Sequence, residues 1–169
     1  GELLLYFPAL LRFFGVTVQG AYKVYAVVIN LGTALVTWYC LRRMLKNQWA
    51  ALFGSVLYTL SIYRILNIYL RGAVGEYTAM MFLPLVFYGL WRIFTQPDGE
   101  RARPLVWLPA VIGFTGLIQT HLLSGEIVGI LTLGSCVVLL RRTLRKNTFF
   151  PLCKVVGITA LLNLWFLLP

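Results

Sequence analysis

The sequence predicts an all-α membrane protein, a polytopic helix bundle with about six transmembrane helices and one interfacial helix. Hydrophobic residues make up 60% of the chain and charged residues only 12%, and the mean hydropathy is +0.82. Uncharged runs recur along the whole length, each close to the ~20 residues that cross the hydrocarbon core of a bilayer. Short basic loops separate these runs. This combination is not that of a soluble domain.

The chain opens with an apolar segment that is short for a membrane crossing. Residues 2–15 include Pro8 and Arg12 among leucine and phenylalanine residues, and proline breaks the interior of a helix. We expect an interfacial or re-entrant helix on the outer side. The chain starts without a methionine and stops directly after an apolar run. We therefore interpret residues 1–169 as a single transmembrane segment of a longer polytopic protein.

Six further segments are predicted to span the membrane. Residues 104–140 are almost continuously apolar and would measure about 55 Å as one helix, nearly twice the bilayer core. We expect a hairpin there, with its turn in the polar cluster at 119–126. The predicted spans are 22–41, 49–64, 76–94, 104–120, 123–140 and 152–169.

The distribution of basic residues predicts the topology. Of the 15 Lys and Arg residues, all but four lie in or beside loops at one end of the predicted bundle, which the positive-inside rule makes cytoplasmic. Because the net charge of +10 is concentrated in these loops, no basic face remains for nucleic acid, and we predict no such partner. The four basic residues on the outer side are Arg12, Lys23, Arg64 and Arg71.

Residues 63–76 carry charge in an otherwise apolar run. Charge near membrane depth requires a partner, water or a function. Arg64 and Arg71 are candidates to bind a phosphate group bidentately, and Tyr69 is a candidate to stack on a sugar or to lie at the interface. Glu76 would orient an acceptor or the arginines. In the structural alternative, Arg71 pairs with Glu76, or the arginines extend to lipid head groups.

His121, the only histidine, lies in the predicted outer turn with Ser124 and Glu126. It is a candidate general base or proton relay, so His121 and Glu76 are the two catalytic candidates. Glu126 joins the residues predicted to bind substrate. The structural alternative is a polar cap of the helix hairpin. We expect no cofactor. A divalent metal held by His121 with Glu126 or Glu76 is the lesser alternative, because these residues have no recognised ligand spacing.

Several stretches together resemble one known family. They are LLLYFPALLRFFG, AYKVYAVVINLGTALVTWY, IQTHLLSGE, LLNLWFLLP and, most specifically, the run from Leu57 to Phe94 that contains YRILNIYLRGAVGE. The chain resembles the YfhO-like group of bacterial multi-pass membrane proteins, which includes 6-pyruvoyl-tetrahydropterin synthase-related membrane proteins. That group is similar in turn to the GT-C class of membrane glycosyltransferases.

The resemblance implies an activity and a setting. It implies transfer of a sugar from a polyprenyl-phosphate carrier to a cell-envelope glycopolymer, on the outer face of the bacterial cell membrane. In the GT-C class the catalytic acid usually follows the first transmembrane helix, and we expect that loop upstream of Gly1. Arg64, Arg71, Glu76 and His121 occupy the matching positions here, although the match does not assign their individual roles.

Two other function classes remain open. A transporter or flippase would bind the same lipid-linked glycan without chemistry, and a non-catalytic scaffold would recruit a partner enzyme. A transporter places its charged residues at mid-membrane in broken helices, whereas the predicted topology collects them at one face. In each case membrane lipids are partners.

Labelling tests the topology. Single cysteines introduced near Asn67 and near Ser124 are expected to react with an impermeant thiol reagent outside intact cells, because both positions lie on the predicted outer side. A cysteine near Gly99 is expected to stay unlabelled until the membrane is opened. The native cysteines are replaced beforehand. The opposite pattern would overturn the topology.

Overall fold

The computed structural model describes Leu4, residues 6–97 and residues 104–167. This part of the chain is built from helices and the turns between them, without strands, which confirms the all-α class. The predicted loop residues 98–103 and the extreme ends of the chain lie outside it. In chain order the helices are α1 (Tyr6–Phe13), α2 (Val18–Leu45), α3 (Gln48–Thr59), α4 (Ile62–Tyr69), α5 (Val74–Ala79), α6 (Leu83–Phe94), α7 (Leu108–Thr120), α8 (Leu122–Val138), α9 (Leu140–Thr143) and α10 (Lys146–Leu167).

Three helical segments are long and apolar enough to cross a membrane: α2, α5 together with α6, and α10. The bent pair of α3 and α4 adds a fourth if it forms one span. The helices α7 and α8 are apolar but shorter, with 13 and 17 residues. Each of the six predicted spans thus contains helix within its described residues, while length and composition support three or four crossings.

The longest helix is α2, whose 28 residues measure about 42 Å. Thr17 caps its first turn, where the side-chain oxygen accepts a hydrogen bond from the Gly20 N–H at 3.2 Å. At its other end Lys46 has a left-handed backbone, and its N–H bonds to Arg42 O. The segment predicted at 2–15 is described as helix from Tyr6 to Phe13. This helix packs on α2 and buries none of its side chains.

The second predicted span is bent. Its two helices, α3 and α4, meet at an angle of 42°, and the helical path continues to Tyr69, beyond the predicted end at residue 64. The helix α4 is amphipathic and buries Arg64, Asn67 and Ile68. Because residues three and four apart share a helix face, this face turns into the bundle and carries Arg64 with it.

The span predicted at 76–94 is interrupted between α5 and α6. Pro84 lies in the first turn of α6. Proline has no backbone N–H, so the carbonyl four residues earlier, Met80 O, lacks its helical donor. The Tyr58 hydroxyl of α3 donates to Met80 O at 2.7 Å instead.

A second carbonyl loses its helical donor at the same interruption. Met81 donates its N–H to Thr78 O and not to Tyr77 O, which would accept it in a regular α-helix. Arg64 of α4 supplies the replacement, because its Nη1 donates to Tyr77 O at 2.7 Å. Backbone polar groups in lipid must be satisfied within the protein. The bent pair α3–α4 therefore supplies both donors that the interruption of α5–α6 requires.

Small residues bring α6 and α7 close together. A Cβ on Gly89 would lie 2.7 Å from Ala110 Cα, and one on Gly113 would lie 2.6 Å from Val86 Cγ2. Close backbone approach of this kind is the main route to helix packing in a membrane. A buried apolar cluster continues from this contact to α10; it consists of Ile93, Val106, Ala110, Val111 and Val155.

The last helix, α10, packs against α6 and α7. It begins at Lys146, before the predicted start at 152, and includes Pro151. Asn147 Nδ2 donates to Pro97 O at 3.1 Å, which ties the start of α10 to the segment that follows α6. Its outward side chains are apolar, like those of α2: only 28% of the apolar window is buried in each helix. Lipid, which solvates apolar side chains, accounts for such a surface.

The contact between α6 and α7 is testable by substitution. Gly89→Ala is expected to lower the free energy of unfolding by about 1–3 kcal/mol, because the added methyl group meets the backbone of Ala110. Gly129→Ala in α8 is the matched control, because nothing lies within 4 Å of a Cβ at that position. The control is expected to be neutral or slightly stabilising, since alanine favours helix over glycine. Thermal unfolding in detergent compares the variants, and equal melting temperatures would contradict the packing.

Candidate functional site

Four side chains form a hydrogen-bonded cluster where α4 ends and α5 begins. Arg71 and Glu76 pair through two bonds, Nη1 to Oε2 and Nη2 to Oε1, each 3.1 Å long. Arg71 Nη1 also donates to Asn67 Oδ1 at 2.9 Å, and the Tyr63 hydroxyl donates to Glu76 Oε2 at 2.9 Å. We call Tyr63, Asn67, Arg71 and Glu76 the outer cluster.

The chain reverses between the two helices at Gly72. Its φ of 59° is left-handed, a conformation that glycine adopts without steric cost. The reversal brings Arg71 back over Glu76. The arginine side chain is 55% exposed and the glutamate 21%, so the cluster presents its positive group to the surroundings. The neighbouring carboxylate raises the pKa of Arg71, and the guanidinium stays charged. Exposed ion pairs contribute little to stability, so another anion can replace Glu76 at low cost.

His121 is the single residue between α7 and α8. Its Nδ1 accepts the Ser124 N–H at 3.3 Å and lies 2.8 Å from Ser124 Oγ. This is a helix N-cap, the structural alternative for this residue. Among the described residues, Ser124 is the only hydrogen-bond partner of the imidazole, so the Nε2 side of the ring is not engaged there.

The His121 turn lies directly beside the outer cluster. Gly75 precedes Glu76 in α5, and a Cβ at Gly75 would lie 2.8 Å from Thr120 O and 3.4 Å from His121 Cδ2. Only a residue without a side chain allows this approach. The structure thus brings three of the predicted site residues into one region: Arg71, Glu76 and His121.

Arg64 lies apart from that region. Its side chain is 0% exposed, and its Nε and Nη2 donate to Asn30 Oδ1 at 3.3 and 3.1 Å, while Nη1 holds Tyr77 O. Asn30 lies about 18 Å along α2 from Val18. The structure therefore places Arg64 inside the bundle and not in the outer connection, where the sequence predicts it. In this position it offers a phosphate no accessible surface.

The remaining predicted site residues lie on the surface. Tyr69 is 76% exposed and Glu126 is exposed; within the described ranges no hydrogen bond joins either residue to the outer cluster. Nor does any group of three His, Cys, Asp or Glu side chains in those ranges lie close enough to hold a metal ion. The predicted outer acid Glu2 lies outside the described residues.

A cavity of about 420 Å³, which the sequence does not predict, lies between α7 and α10. It follows α7 from Trp107 to Thr120 and is bordered across the groove by Ile158 and Leu162. Its wall is apolar except for a few groups. Because Thr120 borders both the cavity and Gly75, one end of the cavity adjoins the region of the outer cluster.

Gln119 is the most polar group of the cavity wall. The residue is only 7% exposed. One turn earlier in the same wall, Thr115 Oγ1 is buried and has no hydrogen-bond partner in the described part of the chain. A buried hydroxyl without a partner is costly and points to a ligand or a local function. The sequence carries a signal for this position, since Thr115 and Gln119 are four residues apart on an apolar helix and therefore share a face.

Comparison with known proteins assigns a family. The chain matches the 6-pyruvoyl-tetrahydropterin synthase related domain, described as a membrane protein, over residues 3–169. The chain belongs to this family. Membership confirms the sequence resemblance at that level and identifies a membrane protein, in agreement with the apolar helices. No curated protein and no solved structure matches the chain.

The position of Arg64 in this family member predicts a structural role. Arg64→Met is expected to lower the free energy of unfolding by at least about 2 kcal/mol, because Asn30 Oδ1 and Tyr77 O are left without donors. Arg71→Met serves as the comparison. It removes the same charge from an exposed site and should change the melting temperature little. Denaturation in detergent measures both; a greater loss for the Arg71 variant would contradict this assignment.

Proposed function

We propose that this chain forms the membrane-embedded part of a GT-C-like glycosyltransferase. The enzyme would transfer a sugar from a polyprenyl-phosphate carrier to a glycopolymer of the cell envelope, at the outer face of the bacterial cell membrane. The observation that carries the proposal is the junction at Gly75 and Thr120, where a cluster of ionisable groups adjoins an apolar cavity. A lipid-linked phosphate sugar has the same two parts, a charged head and an apolar chain.

Arg71 is the proposed contact of the carrier phosphate. Its guanidinium is exposed, charged and already held in a bidentate geometry by Glu76, and a phosphate group accepts the same pair of bonds. As the sugar leaves, the negative charge that grows on the phosphate would be stabilised by this cation. Glu76 would then be released to orient the acceptor, and Arg64 would act only by holding the fold.

His121 is the proposed general base. For Nε2 to take a proton from an acceptor hydroxyl, Nδ1 would carry the ring proton and donate it to Ser124 Oγ, 2.8 Å away, in place of accepting the Ser124 N–H. Tyr69 and Glu126, which are both exposed, are proposed to contact the sugar or the acceptor. The catalytic acid expected from the resemblance is not assigned to a residue of this chain.

The cavity is proposed to hold the first part of the polyprenyl chain. Its volume of about 420 Å³ is within the range of ligand pockets, which is about 300–1,000 Å³. Ile112, Ile158 and Leu162 provide an apolar wall, while Gln119 lies near the end that adjoins Thr120, where the phosphate ester would begin.

A transporter or flippase for the same lipid is the second candidate. It is favoured by the two interrupted helical segments, α3–α4 and α5–α6, and by the buried Arg64 between them. Broken helices around a charged group are typical of transporter binding sites.

A transfer assay tests the proposal. Natural full-length protein in nanodiscs is supplied with a polyprenyl-phosphate-linked radiolabelled sugar and with envelope glycopolymer. Arg71→Ala is expected to lower the rate at least about 10-fold, because the leaving phosphate loses its cation. Arg12→Ala is the matched control, since Arg12 is an exposed arginine on the same predicted side and should leave the rate unchanged.

A second pair of variants tests the cavity. Ile112→Trp places a larger side chain in the cavity wall. It is expected to raise the KM for the lipid substrate, because less room is left for the polyprenyl chain. Ile130→Trp on α8, at a position 68% exposed, should leave the KM unchanged. Translocation of the lipid without sugar transfer would rule out the proposed glycosyltransferase activity and indicate a transporter. Absence of both activities in folded wild-type protein would favour the scaffold.

A further inference from the structure

The opposite end of the bundle carries a different arrangement of charge. At the predicted cytoplasmic ends of α2 and α6, arginine side chains lie over aromatic rings. The Cζ atom of Arg43 is 5.4 Å from the ring centroid of Tyr39, and that of Arg92 is 5.7 Å from the ring of Tyr88. The two rings also contact each other edge to face, with their centroids 6.1 Å apart. Helices α2 and α6 thus each place one guanidinium group on the same pair of tyrosine rings.

The ring pair is itself fixed in place. Tyr88 is only 7% exposed, and Trp91 stacks on it with centroids 6.3 Å apart. Arg43 packs on Tyr39, whose ring contacts Tyr88 edge to face, so its guanidinium lies beside the ring pair. A guanidinium lying on a ring keeps the edge of its N–H fork free and loses little freedom when the fork binds a ligand.

Neither arginine has an anionic partner in the described part of the chain. The carboxylates described there are Glu76 and Glu126, which lie toward the other end, and the single ion pair among these residues joins Arg71 to Glu76. No hydrogen bond from the guanidinium of Arg43 or Arg92 occurs there either. The C-terminal ends of α2 and α6 each contribute about −0.5 charge, less than the two guanidinium groups carry. Among the described residues, a net positive charge therefore remains at this site.

We propose that Arg43 and Arg92 form a binding site for the phosphodiester of an anionic glycerophospholipid in the cytoplasmic leaflet. Guanidinium groups match phosphate oxygens in a bidentate geometry, and basic sites between helix ends at the cytoplasmic interface suit lipid head groups. A lipid and not free phosphate is the ligand because apolar side chains lead away from the site. Leu35 lies one turn before Tyr39 and is 64% exposed, and Phe87 lies one turn before Trp91 and is 58% exposed, so each helix offers a surface for an acyl chain.

Lipid binding to the purified protein tests the site. The protein in detergent is titrated with phosphatidylglycerol or with phosphatidylcholine, and bound lipid is counted by native mass spectrometry. The wild-type protein is expected to retain phosphatidylglycerol at concentrations at which phosphatidylcholine is not retained. The double variant R43Q/R92Q is expected to bind phosphatidylglycerol at least about 10-fold more weakly, because charge-assisted hydrogen bonds to the phosphate are lost.

The matched control is R141Q/R142Q, which removes two exposed arginines from the same predicted side and should change the affinity less than about 3-fold. R43K/R92K keeps both charges and covers the case in which R43Q/R92Q does not fold. It is expected to bind more weakly than the wild type, because an ammonium group has no planar fork. Equal losses in the control and the R43Q/R92Q variant, full affinity in R43K/R92K, equal retention of the two lipids, or displacement by millimolar inorganic phosphate would each overturn the proposal.

Discussion

The structure depends on two backbone carbonyls that a helix interruption leaves without their usual donors. Pro84 removes the partner of Met80 O, and the shifted hydrogen bond of Met81 removes that of Tyr77 O. Water can satisfy such groups in a soluble protein, but lipid cannot. The Tyr58 hydroxyl donates a hydrogen bond to Met80 O, and Arg64 donates one to Tyr77 O. These two donors lie on either side of the bend between α3 and α4. Two interrupted helical segments therefore stabilise each other.

This arrangement also positions the candidate site. With Arg64 turned inward against Tyr77, α4 continues for another turn and a half before Gly72 reverses the chain. Arg71 is then left at the surface, where it meets Glu76, and Gly75 lets the same helix start lie against the turn at His121. Of two arginines in one short stretch, one holds the fold and the other faces outward.

The partners of the arginine side chains differ between the two ends of the bundle. At the end predicted to be outside, Arg71 is balanced by a carboxylate and hydrogen-bonded side chains. At the end predicted to be inside, Arg43 and Arg92 lie on aromatic rings and have no carboxylate partner among the described residues. An ion pair keeps a cation in place until a competing anion arrives, whereas a ring orients a cation and leaves its charge unbalanced. The first arrangement suits an exchangeable substrate, and the second suits a resident lipid.

The sequence by itself determined the all-α membrane class, because long apolar runs and basic loops are properties of composition and spacing. It also brought Arg71, Glu76 and His121 into consideration, since charge in an apolar run is visible without a structure. Only the tertiary structure separated Arg64 from Arg71, because the direction in which a helical side chain points depends on which face the neighbouring helices bury. The tertiary structure alone likewise shows the helix bends, the hydrogen bonds donated to Met80 O and Tyr77 O, and the cavity at Gln119. Each of these depends on contacts between residues far apart in the chain, and local pattern does not encode them.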